Sequence, residues 1–251
     1  MKTEKISLSQ LTILTAIFTF GTSILVIASI LAMQVDQDAW IASIVGMSFN
    51  MLLIFLYIGL IKFFPGLTLT QMIEAITGKT ISFLYVCYFF VLTVYLIRLV
   101  GSFIVSAIFP ETPIFVIYLT FTLVVAIAVR YGLETFSRAA ELFAPFIVVF
   151  FLFIFITLLP QTDSRMIQPF FEAGFKPIMS AGFQIAAIQE HICLLMLIPS
   201  VTRSKRVPKA LLLGTLIGSI IIVFVTTISM LVLGPEITAR NLFPALCWPR
   251  K

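Results

Sequence analysis

Little in this sequence is charged. Only 11% of its 251 residues are Asp, Glu, Lys or Arg, against roughly 25% in ordinary soluble domains, which excludes a soluble globular protein. The chain holds one histidine, His191, and three cysteines, Cys87, Cys193 and Cys247, at no metal-ligand spacing. Neither a metal centre nor a disulfide framework is implied. No HExxH, P-loop, GxGxxG or nucleophile elbow occurs, so enzyme chemistry has no support and no cofactor is called for. The net charge of +5 is too small and too dispersed to suggest nucleic acid. A transmembrane barrel is excluded as well, because the alternating ten-residue pattern it requires is missing.

What the chain does contain is apolar sequence, at 61% hydrophobic with a mean hydropathy of +1.15. Uncharged runs cover residues 6–35, 39–61, 80–97, 112–129, 142–162 and 210–235. Each meets or nearly meets the ~20 residues needed to cross a bilayer. With a further segment at 177–199, these six runs make seven expected transmembrane helices, so the fold class is an all-α integral membrane protein. The first run follows Lys2 and Lys5 but is far longer than the core of a signal peptide, and is expected to be retained. Sorted by alternate loops, ten basic residues fall on the side of the N-terminus and five on the other. That asymmetry places the N-terminus in the cytoplasm and, with an odd number of crossings, the C-terminus outside.

The polar residues inside these spans point to function. Segment 177–199 carries Glu190 and His191 side by side near its middle, with Ser180, Gly182, Gln184 and Gln189. A carboxylate at that depth costs at least ~2.5–3.5 kcal/mol, so its presence marks a functional position. Successive residues of a helix point about 100° apart, which separates Glu190 from His191 and makes Glu190 the better candidate to face a lumen. His191 reads either as a hydrogen-bonded packing residue or as a proton relay. The first span is interrupted by Thr19, Gly21, Thr22 and Ser23. Two readings are open: an unwound segment whose free amides and carbonyls bind a small polar ligand, or a patch of small residues for close helix packing.

The third span carries Tyr88, Tyr95 and Arg98 on nearly one face. Arg98 is expected to turn inward and pair with Glu190, the alternative being that it snorkels outward. Asn50 in the second span reads as interhelical glue. Residues 69–76 have amphipathic spacing, which fits either a helix on the cytoplasmic surface or a structured loop. Glu134 and Arg138 are spaced for a helical ion pair. Interruptions in the first and sixth spans, five apart, suit the inverted-repeat architecture of secondary transporters.

These features resemble the endospore germination permease family, the AB-type subunit of nutrient germinant receptors, within the amino acid–polyamine–organocation transporter superfamily. The resemblance is carried by ISLSQL at 6–11, GTSIL at 21–25, DAWIA at 38–42 and Thr112-Pro113. It continues through RYGLE at 130–134 with Arg138 and Glu141, QPF at 168–170 with Pro177, then Pro199 and Gly234-Pro235. It implies a LeuT-like inverted-repeat fold whose broken first and sixth helices frame a small-molecule site, with a first repeat at about 6–165 and an incomplete second repeat at about 166–251. A role in sensing an amino acid, sugar or related nutrient in the spore inner membrane follows, beside an A-type membrane subunit and a C-type lipoprotein. The implied substrate-binding residues are Gly21, Thr22, Ser23 and Tyr88. Membrane-burial physics adds Gln184 and Glu190, with Tyr95 and Arg98 as a gating or ion-pair element. Family members resemble ten-span proteins, so the last three spans are expected to be missing here. The competing expectations are a proton-coupled amino-acid transporter using Glu190 and a non-functional truncated fragment.

Overall fold

The computed structural model describes residues 5–21, 23–202 and 206–248. These residues are almost entirely helical, with an isolated bridge between Ile6 and Val201 in place of any strand. Thr22, together with the basic residues at 2, 203, 205, 250 and 251, lies outside the described residues.

Helix α1 (Leu8–Phe20) starts where the Ser7 hydroxyl accepts from the Gln10 amide and the Gln10 side chain accepts from the Ser7 amide, a capping box that satisfies two free helix-end donors. Helix α2 (Ser23–Val35) follows, then a tight turn at Asp36–Asp38 and helix α3 (Ala39–Phe63). A second capping box, Thr68 with Gln71, opens α4 (Leu69–Thr77). This is the amphipathic piece read from the sequence, and its Leu69 and Met72 are buried against the protein. Helix α5 (Lys79–Ala107) leads to α6 (Ile114–Leu158), which is broken at Gly132, whose φ of 84° lies in the left-handed region that suits glycine. After the aromatic loop come α7 (Phe175–Ile188), a 3-10 stretch over His191–Ser200, and α8 (Val207–Arg240).

Among the described residues, five helical stretches are long and apolar enough to cross a membrane: Leu8–Phe63, Lys79–Ala107, Ile114–Gln161, Phe175–Ser200 and Val207–Arg240. The chain is a multi-pass membrane protein. Helices α5 and α6 sit at its periphery. Ser82 and Gly101 are the buried residues of α5, and Ile117, Ser137 and Leu158 those of α6.

The packed centre is made by α1, α2, α3, α7 and α8, and small residues bring these helices together. A Cβ on Gly218 of α8 would lie 2.5 Å from Thr19 Cβ, and one on Gly182 of α7 would lie 2.6 Å from Val45 Cγ1. With side chains as apolar as lipid, backbone approach of this kind is what holds membrane helices together. Two buried apolar clusters result. One gathers Leu11, Leu14, Ile54, Leu194 and Leu211, and the other Phe20, Ile27, Leu31, Ala42, Ile185 and Ile222. Along α1, α3 and the Phe175–Ser200 stretch, the polar residues Thr19, Asn50 and Gln189–His191 fall between the two.

Candidate functional site: the junction of two broken helices

Apart from the glycine breaks at Gly132 in α6 and Gly234 in α8, regular helix is lost at two places that face each other. The first break separates α1 from α2 at Gly21, whose backbone is non-helical (φ −29°, ψ −101°). The second lies between α7 and the 3-10 stretch, where Glu190 takes a left-handed conformation (φ 39°, ψ 43°). A non-glycine residue there costs of order 1–3 kcal/mol and persists only where its surroundings impose it. The interruptions read from the sequence are therefore real discontinuities, and the Glu190 break was marked by its polarity.

Polar side chains tie the two breaks together. The Gln189 side chain donates to the Thr19 carbonyl at 3.1 Å, inside the last turn of α1. Its own carbonyl oxygen accepts from Asn50 Nδ2 on α3. The Thr19 hydroxyl lies 2.9 Å from His191 Nε2 and donates to the Thr15 carbonyl at 2.8 Å. A hydroxyl has one proton. With that proton on Thr15, Thr19 must accept from Nε2–H, which fixes the imidazole tautomer and leaves Nδ1 as a bare acceptor. The edge of Phe18 closes over the His191 ring at a centroid distance of 6.0 Å. On the other flank, the Tyr88 hydroxyl of α5 donates to Glu190 Oε1.

Polar atoms at this junction are left over. Asn50 Oδ1, Glu190 Oε2 and His191 Nδ1 are each buried without a hydrogen-bond partner. Buried polar groups are nearly always satisfied, and the exceptions call for an explanation. Two of these atoms belong to the hydrogen-bonded set Asn50–Gln189–Thr19–His191, and Glu190 lies between Gln189 and His191 in the chain.

The candidate residues divide accordingly. Tyr88 and Glu190 meet, and Gly21 lies at the first break, two residues beyond Thr19 and its contact with His191. Ser23 is half-buried at the start of α2. Thr22 lies outside the described residues. Gln184 is exposed on α7 and accepts from Gln34 Nε2 of α2, away from the junction. Tyr95 and Arg98 are exposed, and neither makes a hydrogen bond or ion pair among the described residues. The expected Arg98–Glu190 pair does not form. Glu190 sits at the level of Tyr88, and ten helical residues put Arg98 roughly 15 Å further along α5. The separation expected between Glu190 and His191 does hold, since one reaches α5 and the other α1. Its cause is the break at Glu190 rather than the regular helical wheel. Thr19, Asn50, Gln189 and His191 emerge as the connecting residues. Their one sequence signal was polarity within otherwise apolar runs.

A family model described as "Spore germination protein" matches residues 5–250. The chain belongs to this spore germination protein family. Among curated proteins of Bacillus subtilis (strain 168), it is 27% identical to spore germination protein KB over 98% of this chain and 68% of that protein. It is 25% identical to the putative spore germination protein YfkT over 83% of this chain and 58% of that protein. Spore germination protein B2 is 22% identical over 84% and 59%, respectively. The chain thus spans about three fifths to two thirds of the length of these spore germination proteins. No solved structure matches it.

Proposed function

We propose that this chain is the ligand-sensing membrane part of a spore nutrient-germinant receptor, and that the junction of the two broken helices is where a small nutrient binds. The observation that carries the reading is the coincidence of both backbone breaks with the buried Asn50–Gln189–Thr19–His191 hydrogen bonds and with unpartnered acceptors on Asn50, Glu190 and His191. Broken helices meeting near mid-membrane are how permease-like folds expose backbone and side-chain polar groups to a small solute. Family membership supplies the setting, germination, and the junction supplies a place for the stimulus.

In this reading the chain crosses the membrane seven times. The apolar stretches Leu8–Phe63 and Ile114–Gln161 hold 56 and 48 residues, while a crossing takes ~20. The turn at Asp36–Asp38 and the break at Gly132 divide each into two. The N-terminus is cytoplasmic, as the basic residues suggest. The two broken helices occupy matching positions in a LeuT-like inverted repeat, with about 6–165 as its first unit and about 166–251 as part of its second. An A-type membrane subunit and a C-type lipoprotein are the proposed partners. Deleting the gene tests the reading. Spores without it should lose their response to one nutrient or nutrient mixture, and unchanged germination on every nutrient would overturn the proposal.

A further inference from the structure

Helices α1 and α6 are tied together at two levels and leave a groove between them. At the first level, Gln10 Nε2 and the Ser9 hydroxyl of α1 donate to the two oxygens of Glu141, at 3.0 and 3.3 Å. At the second, the Phe20 and Phe151 rings meet edge to face at 5.7 Å. On each helix the two levels lie about ten residues apart, or about 15 Å of rise. The groove has a volume of about 440 Å³, with α8 as its third wall and the small Ala16 and Ala144 among its lining residues.

The lining decides what can enter. Among the described residues that line the groove, Thr12 alone is polar, and its hydroxyl already donates to the Leu8 carbonyl at 3.0 Å. Water has nothing to hold it there, and apolar cavities stay dry. A polar or charged ligand would lose its hydration without compensation. Left empty, the lining forfeits its dispersion contacts, against the close packing of protein interiors. A further helix is too thick, since about 15 Å of one, roughly 10–12 Å across, fills more than ~1,000 Å³. The groove opens where its lining residues Val148, Leu152 and Ile220 are exposed, on the surface that a multi-pass membrane protein turns toward lipid. Its length of about 15 Å is the depth of one leaflet, half of the ~30 Å hydrocarbon core.

From this we infer that the groove binds one acyl chain of a bilayer phospholipid, laid lengthwise between α1 and α6. The chain enters from the side, through the exposed edge. Its methyl end points to the Phe20–Phe151 pair, and its headgroup stays outside, at the level of Ser9, Gln10 and Glu141. Bound there, it supports the flank of α1 that faces α6, as Gly214 and Gly218 of α8 support another by direct approach. The inference is independent of what binds at the junction.

The test is photolabelling of the full-length protein in nanodiscs of phosphatidylethanolamine and phosphatidylglycerol. The discs are doped with a phosphatidylcholine that carries a diazirine in one acyl chain, and labelled residues are mapped by peptide mass spectrometry. Ala16 and Phe20 line the groove but are only 7% and 8% exposed, while Ile27 and Leu31 on α2 are buried away from it. Label on Ala16 and Phe20 should exceed that on Ile27 and Leu31 at least fivefold. Ala144→Phe, which fills the groove, should cut the label on Ala16 and Phe20 at least fivefold and leave that on the exposed Phe83 and Phe90 of α5 unchanged. The first comparison uses the wild-type protein, so it decides the matter even if the variant folds poorly. Label on Phe83 and Phe90 with no excess on Ala16 and Phe20 would overturn the inference. Groove labelling by a free diazirine fatty acid, where the doped phospholipid gives none, would overturn the assignment to a phospholipid.

Discussion

Gly218 offers the sharpest test of how the junction is held, because it is where α8 presses on the turn of α1 that positions His191. Replacing it by alanine puts a methyl carbon 2.5 Å from Thr19 Cβ and 2.8 Å from the Ala16 carbonyl oxygen. Part of the obstruction is backbone, so relief requires the helices to part. Overpacking of this kind costs about 1–3 kcal/mol. It is offset by up to ~1 kcal/mol from the better helix propensity of alanine. Gly59 provides the matched control. It lies in α3 with no atom within 4 Å of an added Cβ, so Gly59→Ala should bring the propensity gain alone. The two variants should therefore differ by about 1–3 kcal/mol, or roughly 2–12 °C in apparent Tm for a chain of this size. Measured on purified protein in one detergent, Gly218→Ala should melt below Gly59→Ala. Equal melting temperatures would refute the tight α1–α8 contact and, with it, the rigid placement of Thr19.

Two further predictions concern parts remote from the junction. Asp38 is fully buried, and its two oxygens accept from the Phe171 and Ala173 amides at 2.7 and 3.0 Å, clamping the aromatic loop onto the start of α3. Asp38→Ala strips both amides of their acceptor and should cost roughly 2–5 kcal/mol, read as a lower Tm and faster proteolysis of the loop. Asp38→Asn should recover about half, because one oxygen remains to accept. By contrast, Arg138→Ala should change stability by less than about 0.5 kcal/mol. The Arg138–Glu134 pair is close at 2.6 Å, but its side chains are 71% and 42% exposed, and such pairs contribute little.

Local sequence carried much of this structure. Uncharged runs announced the membrane helices, and Gly21 with its hydroxyl neighbours offered the first break as one of two readings, close helix packing being the other. Glu190 announced the second, because a carboxylate in an apolar run requires a reason. Spacing alone located the Glu134–Arg138 pair and offered α4 as one of two readings, the other being a structured loop. What escaped was anything that depends on where one helix lies against another. Arg98 and Glu190 both fall mid-span by counting, yet which residue of α5 reaches Glu190 is set by packing depth, and that is Tyr88. Asn50 gave no sign of meeting Gln189, since 139 residues separate them. The Asp38 clamp was hidden for the same reason. Polarity inside an apolar helix tells which residues need partners, and only the packed fold tells which partners they find.

In the proposed function, germination signals enter at the junction of the two broken helices, and Gln189 is the residue that joins them. Gln189→Leu keeps the side chain close in size while removing the contacts to Thr19 and Asn50. The decisive measurement is the nutrient dose–response of spores carrying this variant in the native gene, at protein abundance matched to wild type by immunoblot. The account predicts that the response to one nutrient shifts at least tenfold to higher concentration or disappears, while responses that use other receptors are unchanged. An unaltered dose–response to every nutrient, with the variant present at wild-type level, would contradict it.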